Sequence, residues 1–261
     1  MFIEPDNGPY HRLRVSSGFD RTDITNLDEF VRRISAAPLT YEPGSGWGYS
    51  NSIDVLGAVI ERVSGQSLPR AVAELVLTPL DLKDTAFAVT DPRGLVTQYA
   101  DAQPEPRRMA DDDSVNFFGR PVAFSLTRLL EQRAFASGGS GMAGTAGEVL
   151  TFLEAVRAGS LLQSQTRRAM FSAQARTEGQ AEGPGWEFGY GGAVLVEPEV
   201  ANTRQAPGTL QWNGACGHKW FIDPTNELTV VALTNTAFEG MIGRFPADIR
   251  DAVYGVSAHQ G

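Results

Sequence analysis

The hydrophobic pattern of this 261-residue chain changes period near residue 185, and that change constrains the fold more than any other feature. Before it, apolar residues recur at helical spacing. Leu27, Phe30, Val31 and Ile34 form one stripe, Ile53, Leu56, Val59, Ile60 and Val63 a second, and Val149, Phe152, Leu153 and Val156 a third. After it, short runs rich in β-branched and aromatic residues predict strands at 188–196, at 209–212 continued by 219–222, and at 228–234. A last helix takes Phe245, Ile249, Ala252 and Val253 to one side. Helices first, antiparallel strands next and a closing helix make an α+β layout.

Local signals sharpen the boundaries. Asn26 with Glu29, and Thr145 with Glu148, have the spacing of capping pairs at helix starts. Gly65 marks the stop of the helix that begins near Ile53, and a further helix over 68–77 ends before Pro79. The turn over 223–226, Asp-Pro-Thr-Asn, joins the last two strands as a hairpin. Residues 1–25 are polar and without period, which predicts a loop. Residues 41–51 are dense in Gly and Pro and read as loop too. The stretch 84–135, with Arg107-Arg108 and the run Asp111-Asp112-Asp113, predicts a solvated loop region. The chain is thus expected to divide into a mainly helical and loop subdomain, 1–136, and an antiparallel sheet with flanking helices, 137–261.

Composition excludes several classes. A net charge of −9 leaves no electrostatic footprint for nucleic acid. No stretch approaches the length of apolar sequence that crosses a membrane. Cys216 stands alone, so no intrachain disulfide forms, and His11, His218 and His259 are too scattered for a zinc site. The N-terminal residues lack a basic region followed by an apolar core, so they do not read as a secretory signal, and a cytoplasmic protein without metal or cofactor is expected.

Three features can carry chemistry. Tyr49-Ser50-Asn51 ends the Gly/Pro-rich loop directly before an amphipathic helix, where Asn51 can cap the helix and Tyr49 can project its phenol into a cleft. A tyrosine acts as a base only when a nearby cation lowers its pKa from about 10; the alternative is a surface or packing tyrosine. The run from Gln211 to Pro224 places Gly214, Ala215 and Gly217 in or beside a strand. That marks either a close approach of ligand to backbone or a bulge packed against a helix. Residues 137–142, Ser-Gly-Gly-Ser-Gly-Met, precede the helix capped by Thr145 and form either an anion-binding turn or a flexible connector. Ser140 does not fit Gly-x-Ser-x-Gly, because Met142 stands two positions on.

Taken in order, PLTYEPGSGWGYSNSIDVLGAVIERVSGQSL, SGGSGMAGTAGEVLTFLEAV and WNGACGHKWFIDPTNELTVVALTNT resemble the serine beta-lactamase-like family. That family comprises class C beta-lactamases, D-alanyl-D-alanine carboxypeptidases and family VIII esterases. The resemblance runs from about residue 20 onward and implies a beta-lactamase/penicillin-binding-protein-like fold. It implies that Tyr49 is the family's catalytic tyrosine and Asn51 its asparagine, with Ser140 lining the cleft. Trp212-Asn213-Gly214 falls where the lactamases place Lys-Thr-Gly, on a strand that lines the acyl pocket and helps to stabilise the oxyanion. The esterase branch often has Trp-Gly-Gly there. Loss of the lysine that holds a substrate carboxylate favours small neutral esters, with amides as the related class.

The family's early Ser-x-x-Lys, source of nucleophile and lysine, has no counterpart. The only lysines are Lys83 and Lys219, with Leu80 and Cys216 three residues before them. The expectation is therefore the C-terminal part of a serine hydrolase, truncated at its N-terminus, inactive alone and with an apolar sheet face exposed. Two other readings stay open: a non-catalytic ligand-binding protein, and half of a split enzyme that associates with itself or with a complementing chain. Lys219 or Cys216 as a replacement nucleophile has no evident activating partner.

Overall fold

The computed structural model describes residues 7–102 and 104–255, so the expectations touching residues 1–6 and His259 lie outside the described residues. The helices are α1 (Pro9–Leu13), α2 (Leu27–Ile34), α3 (Ser52–Ser64), α4 (Leu68–Val72), α5 (Ala146–Ala158), α6 (Ser164–Met170) and α7 (Phe245–Val253). The strands are β1 (Tyr99–Ala100), β2 (Arg107–Arg108), β3 (Asp113–Phe117), β4 (Arg120–Phe124), β5 (Trp186–Phe188), β6 (Ala193–Leu195), β7 (Leu210–Gly214), β8 (His218–Asp223), β9 (Leu228–Leu233) and β10 (Thr236–Ala237). Two compact units emerge, one of residues 1–42 and 49–148, the other of 43–48 and 149–261. The fold is α+β, as the order of helices and strands implies.

In the first unit, α2 starts where Asn26 accepts a hydrogen bond from the Glu29 amide at 2.9 Å. Glu29 in turn pairs with Arg32 and Arg33 along the exposed side. The predicted stripe of this helix is its buried face. Leu27 and Phe30 join Ile24, Ala58, Leu68 and Phe135 in one core, with Val31 and Ile34 packed against it. Each fully buried Leu, Ile or Phe among them contributes about 1.5–3 kcal/mol through burial.

The face of α3 differs from expectation. Its bounds are as predicted, with Gly65 in the left-handed region at φ 68°, but of the predicted stripe only Ile60 packs against the core, while Ile53, Leu56, Val59 and Val63 are exposed. The inward face carries Asp54, Gly57 and Ala58. Gly57 explains the rotation: a Cβ there would lie 3.0 Å from Leu68 Cδ2 and 3.3 Å from Leu27 Cδ1. The helix approaches its neighbours on its smallest residues, and hydrophobicity alone points to the wrong side.

Two expected loops contain structure. Within 1–25, α1 forms with Pro9 at its first position, where a missing N–H costs nothing. Within 84–135, β1 pairs with β2, and β3 with β4 as a hairpin. Val115, Phe117, Val122 and Phe124 are buried on alternate positions. The turn is Phe118-Gly119, both at positive φ (49° and 81°), and a phenylalanine at such a position gives no turn signal. Asp111, although exposed, accepts hydrogen bonds from Ser125, Thr127 and Arg21, and Asp113 pairs with Arg107.

In the second unit, β5 to β9 form one antiparallel sheet in sequence order. The expected strand over 188–196 is two strands, β5 and β6, reversed across Gly189–Gly192. The expected continuation of 209–212 into 219–222 is also a reversal. β7 turns at residues 215–217 into β8, where Gly217 sits at φ 101° and a Cβ would lie 2.3 Å from Thr234 Oγ1. The turn over 223–226 does join β8 to β9, because Asp223 Oδ1 accepts from the amides of Thr225 and Asn226. Leu153 and Val156 of α5 pack on Ile222, with Val149 and Phe152 beside them. All six residues of β9 are partly exposed.

Candidate active site

Tyr49, Asn51 and Ser140 belong to the first unit, and Trp212, Asn213 and Gly214 to the second. Tyr49 is exposed at the last turn of the Gly/Pro-rich loop, immediately before α3. Asn51 occupies the N-cap position of α3, but its side chain does not cap. It is buried and donates from Nδ2 to the Ser16 carbonyl at 3.1 Å, while Ser50 Oγ accepts from the Ser52 amide at 3.2 Å. The capping role expected of Asn51 thus passes to Ser50. Asn51 faces inward, so its side chain donates to a remote backbone carbonyl instead of accepting from the first amides of the helix.

One turn on, Asp54 is 2% exposed. Its Oδ1 accepts from Ser137 Oγ at 2.6 Å and from the Gly139 amide at 3.4 Å. Burial pushes the Asp54 carboxyl above the usual carboxylate range, against these hydrogen bonds, which favour the charged form. The loop over 137–142 is tied to α3 by hydrogen bonds. The Ser137 hydroxyl and the Gly139 amide are engaged by the protein's own carboxylate. Ser140 is half-buried, with its amide donating to Ser137 Oγ at 3.2 Å.

In the second unit the register of β7 against β8 sets the other three residues: Trp212 opposite Trp220, Asn213 opposite Lys219, and Gly214 opposite His218. Trp212 meets Phe188 edge-on at 5.2 Å between ring centroids, and Trp47 lies 5.1 Å from the same Phe188 ring. Position 212 thus presents an uncharged aromatic wall. Gly214 belongs to the β7–β8 hairpin rather than a bulge; its carbonyl accepts from the Gly217 amide at 2.9 Å.

Asn213 points to the opposite face from Trp212, donating to Glu182 Oε1 at 2.6 Å. Gln211 donates to Glu182 Oε2 at 3.0 Å, and Lys219 Nζ lies 3.3 Å from it. Sequence reasoning missed this cluster, since Glu182 stands 29 to 37 residues from its partners in a Gly-rich loop without local signal. Burial lowers the Lys219 ammonium below the ordinary lysine range, opposed by Glu182. Cys216 is pushed up to about 11 by burial alone. Neither is a free nucleophile at neutral pH: one is ion-paired and the other is a protonated thiol. Among the described residues no cluster of His, Cys, Asp and Glu forms a metal site, and no helix is long and apolar enough to cross a membrane.

The family model described as Beta-lactamase matches residues 10–253. Esterase EstB of Burkholderia gladioli is 46% identical over 256 residues, covering 97% of this chain and 65% of EstB. Lovastatin esterase of Penicillium rubens is 26% identical over 242 residues, 84% of this chain and 59% of that protein. Among solved structures, EstCE1, a hydrolase with promiscuous acyltransferase activity, has a TM-score of 0.92 at 45% identity, over 97% of this chain and 67% of that one. A penicillin binding protein from Bacillus halodurans shares the fold at a TM-score of 0.64 and 18% identity, over 95% of this chain and 68% of that one. The chain thus spans under two thirds of the length of these two esterase relatives.

Proposed function

The chain belongs to the beta-lactamase family, and from that premise we propose that it carries the tyrosine and acyl-pocket strand of an ester-cleaving acyl-transfer site. In this reading a serine oxygen attacks the ester carbonyl, the alcohol leaves with a proton, and water releases the acid from the acyl-serine. Tyr49 takes the serine proton and returns it to the leaving alcohol. Asn51 and Ser140 are the family-motif neighbours of Tyr49 in the first unit, and Trp212-Asn213-Gly214 is read as the acyl-pocket strand in the second. Two esterases among the relatives support the ester class.

The observation that carries the reading is Trp212. Where the lactamases place a lysine, this chain has an indole set edge-on to Phe188, which offers a substrate carboxylate no charge. Small neutral esters fit such a wall better than carboxylated lactams or peptides. Serine and lysine in the Ser-x-x-Lys arrangement are not among these 261 residues. The exposed stripe Ile53, Leu56, Val59 and Val63 on α3 favours, as a second reading, a further segment or chain that covers it and completes the site.

The experiment is hydrolysis of a short-chain p-nitrophenyl ester, with and without a Ser-x-x-Lys-bearing segment from a full-length family member joined to the chain. The joined protein turns over, and Tyr49→Phe in it lowers kcat by roughly 10²–10⁴-fold. A joined, folded protein that binds ester without turnover overturns the hydrolase reading in favour of a binding protein.

A further inference from the structure

Ser16, Asn51, Asp54 and Ser137 are each at most 7% exposed, yet all four are polar and meet in one place. They come from three remote segments of the first unit: the turn over 16–20, the first turn of α3, and the loop over 137–141. Asn51 ties α3 to the Ser16 carbonyl, and Ser16 Oγ donates to Asp20 Oδ1 at 2.7 Å. Asp54 ties α3 to the loop through Ser137 Oγ and the Gly139 amide. The loop then closes on itself, the Gly141 amide donating to the Ser137 carbonyl at 2.9 Å.

Glycines make the contact too close for any side chain. A Cβ on Gly18 would lie 2.0 Å from Ser140 Oγ, one on Gly139 2.8 Å from Ile53 Cγ2, and one on Gly141 2.6 Å from the Ser137 carbonyl oxygen. Gly18 also sits at φ 88°. So much small and polar material buried under one helix start is costly unless every group is satisfied, and a satisfied polar network fixes a single arrangement. What it fixes is the backbone two residues after Tyr49.

We infer that Asp54, held by Ser137, is a positioning residue that sets the direction of the Tyr49 phenol through the first turn of α3. The inference rests on the reading of Tyr49 as the proton carrier and deepens it. Asp54 forms no ion pair among the described residues; its Oδ1 accepts from the Ser137 hydroxyl and the Gly139 amide, while the Gly138 amide and the charge of Arg128 also favour the carboxylate, so a neutral acceptor separates the hydrogen bond to Ser137 from the charge. Asp54→Asn keeps an oxygen facing Ser137 and should preserve the arrangement, whereas Asp54→Ala removes it.

The test needs no catalysis. Fluorotyrosine placed at position 49 of the 261-residue chain reports the orientation of that ring by ¹⁹F NMR, while amide exchange reports the loop. The native chain and Asp54→Asn should give one ¹⁹F line at the same shift. Asp54→Ala, and independently Ser137→Ala should Asp54→Ala not fold, should split or move that line and speed exchange at residues 139–141 by about tenfold or more. The line of a fluorotyrosine at position 99 serves as an internal control and should stay. Faster loop exchange with an unchanged Tyr49 line overturns the inference, leaving Asp54 a loop anchor only. Because nothing here depends on turnover, that failure is distinct from failure of the ester-hydrolase reading.

Discussion

In the helical unit Asn51 and Asp54 reach across to the backbone and hydroxyls of two remote loops, whereas in the sheet unit Trp212, Asn213 and Gly214 are set by strand register. The first arrangement is held by side chains, two of them buried below 8% exposure; the second by backbone ladder bonds, with Glu182 holding one face. A site built on a ladder tolerates side-chain change, because the backbone bonds persist. A site built on a side-chain knot does not. The tyrosine turn should accordingly be more fragile than the Trp212 strand, and each unit can be broken separately to see whether that holds.

The largest stability loss is expected in the core beneath the knot. Phe30, fully buried and 5.1 Å from Phe135 between ring centroids, should cost about 3–5 kcal/mol as Phe30→Ala in urea unfolding. Glu182→Ala should cost about 3 kcal/mol by leaving Lys219 buried and unpaired, and Glu182→Gln with Lys219→Met should recover most of it. If the double change recovers nothing, the Glu182 cluster holds the strand through Asn213 and Gln211 instead, and the two units are more alike than they look. Asn26→Ala, a surface cap on α2, should cost about 1 kcal/mol and leave the knot unchanged in amide exchange.

A smaller effect is acid loosening of the β3–β4 hairpin. Burial would raise Asp111, but hydrogen bonds from Thr127 and Ser125 outweigh it and bring it to about 2; the Arg107 hydrogen bond takes Asp113 to about 2. Both carboxyls are depressed on folding, so their contribution is present above the ordinary carboxylate range and lost as pH falls from about 4 towards 2. Amide exchange in the hairpin should rise in that window, and in Arg107→Ala the midpoint for Asp113 should move up. Asp54 has the opposite sign, its folded pKa being raised, so its burial costs stability above its pKa and the cost fades as pH falls.

The order of elements was legible because its signals are local. Asn26 with Glu29, Thr145 at the start of α5, Gly65 and the 223–226 turn all act within a few residues of themselves. What was hidden depends on distant partners. The inward face of α3 follows from Gly57 meeting Leu27 and Leu68, not from its own apolar stripe. The β3–β4 turn hides behind a phenylalanine at positive φ. Tyr49, Asn51 and Trp212 lay in stretches that local chemistry marked, but a role came to them only through likeness to a family. Asp54 and Glu182 gave no sign, because a buried carboxylate is recognisable only by the donors that fold onto it.

The most direct measurement is the initial rate of p-nitrophenyl butyrate hydrolysis by the 261-residue chain, with a fluorophosphonate probe for a reactive serine. The account predicts no turnover above buffer and no stoichiometric label, since Tyr49 and the Trp212 strand are present without a Ser-x-x-Lys. Turnover with one serine labelled would contradict it, placing the nucleophile among residues assigned other work here.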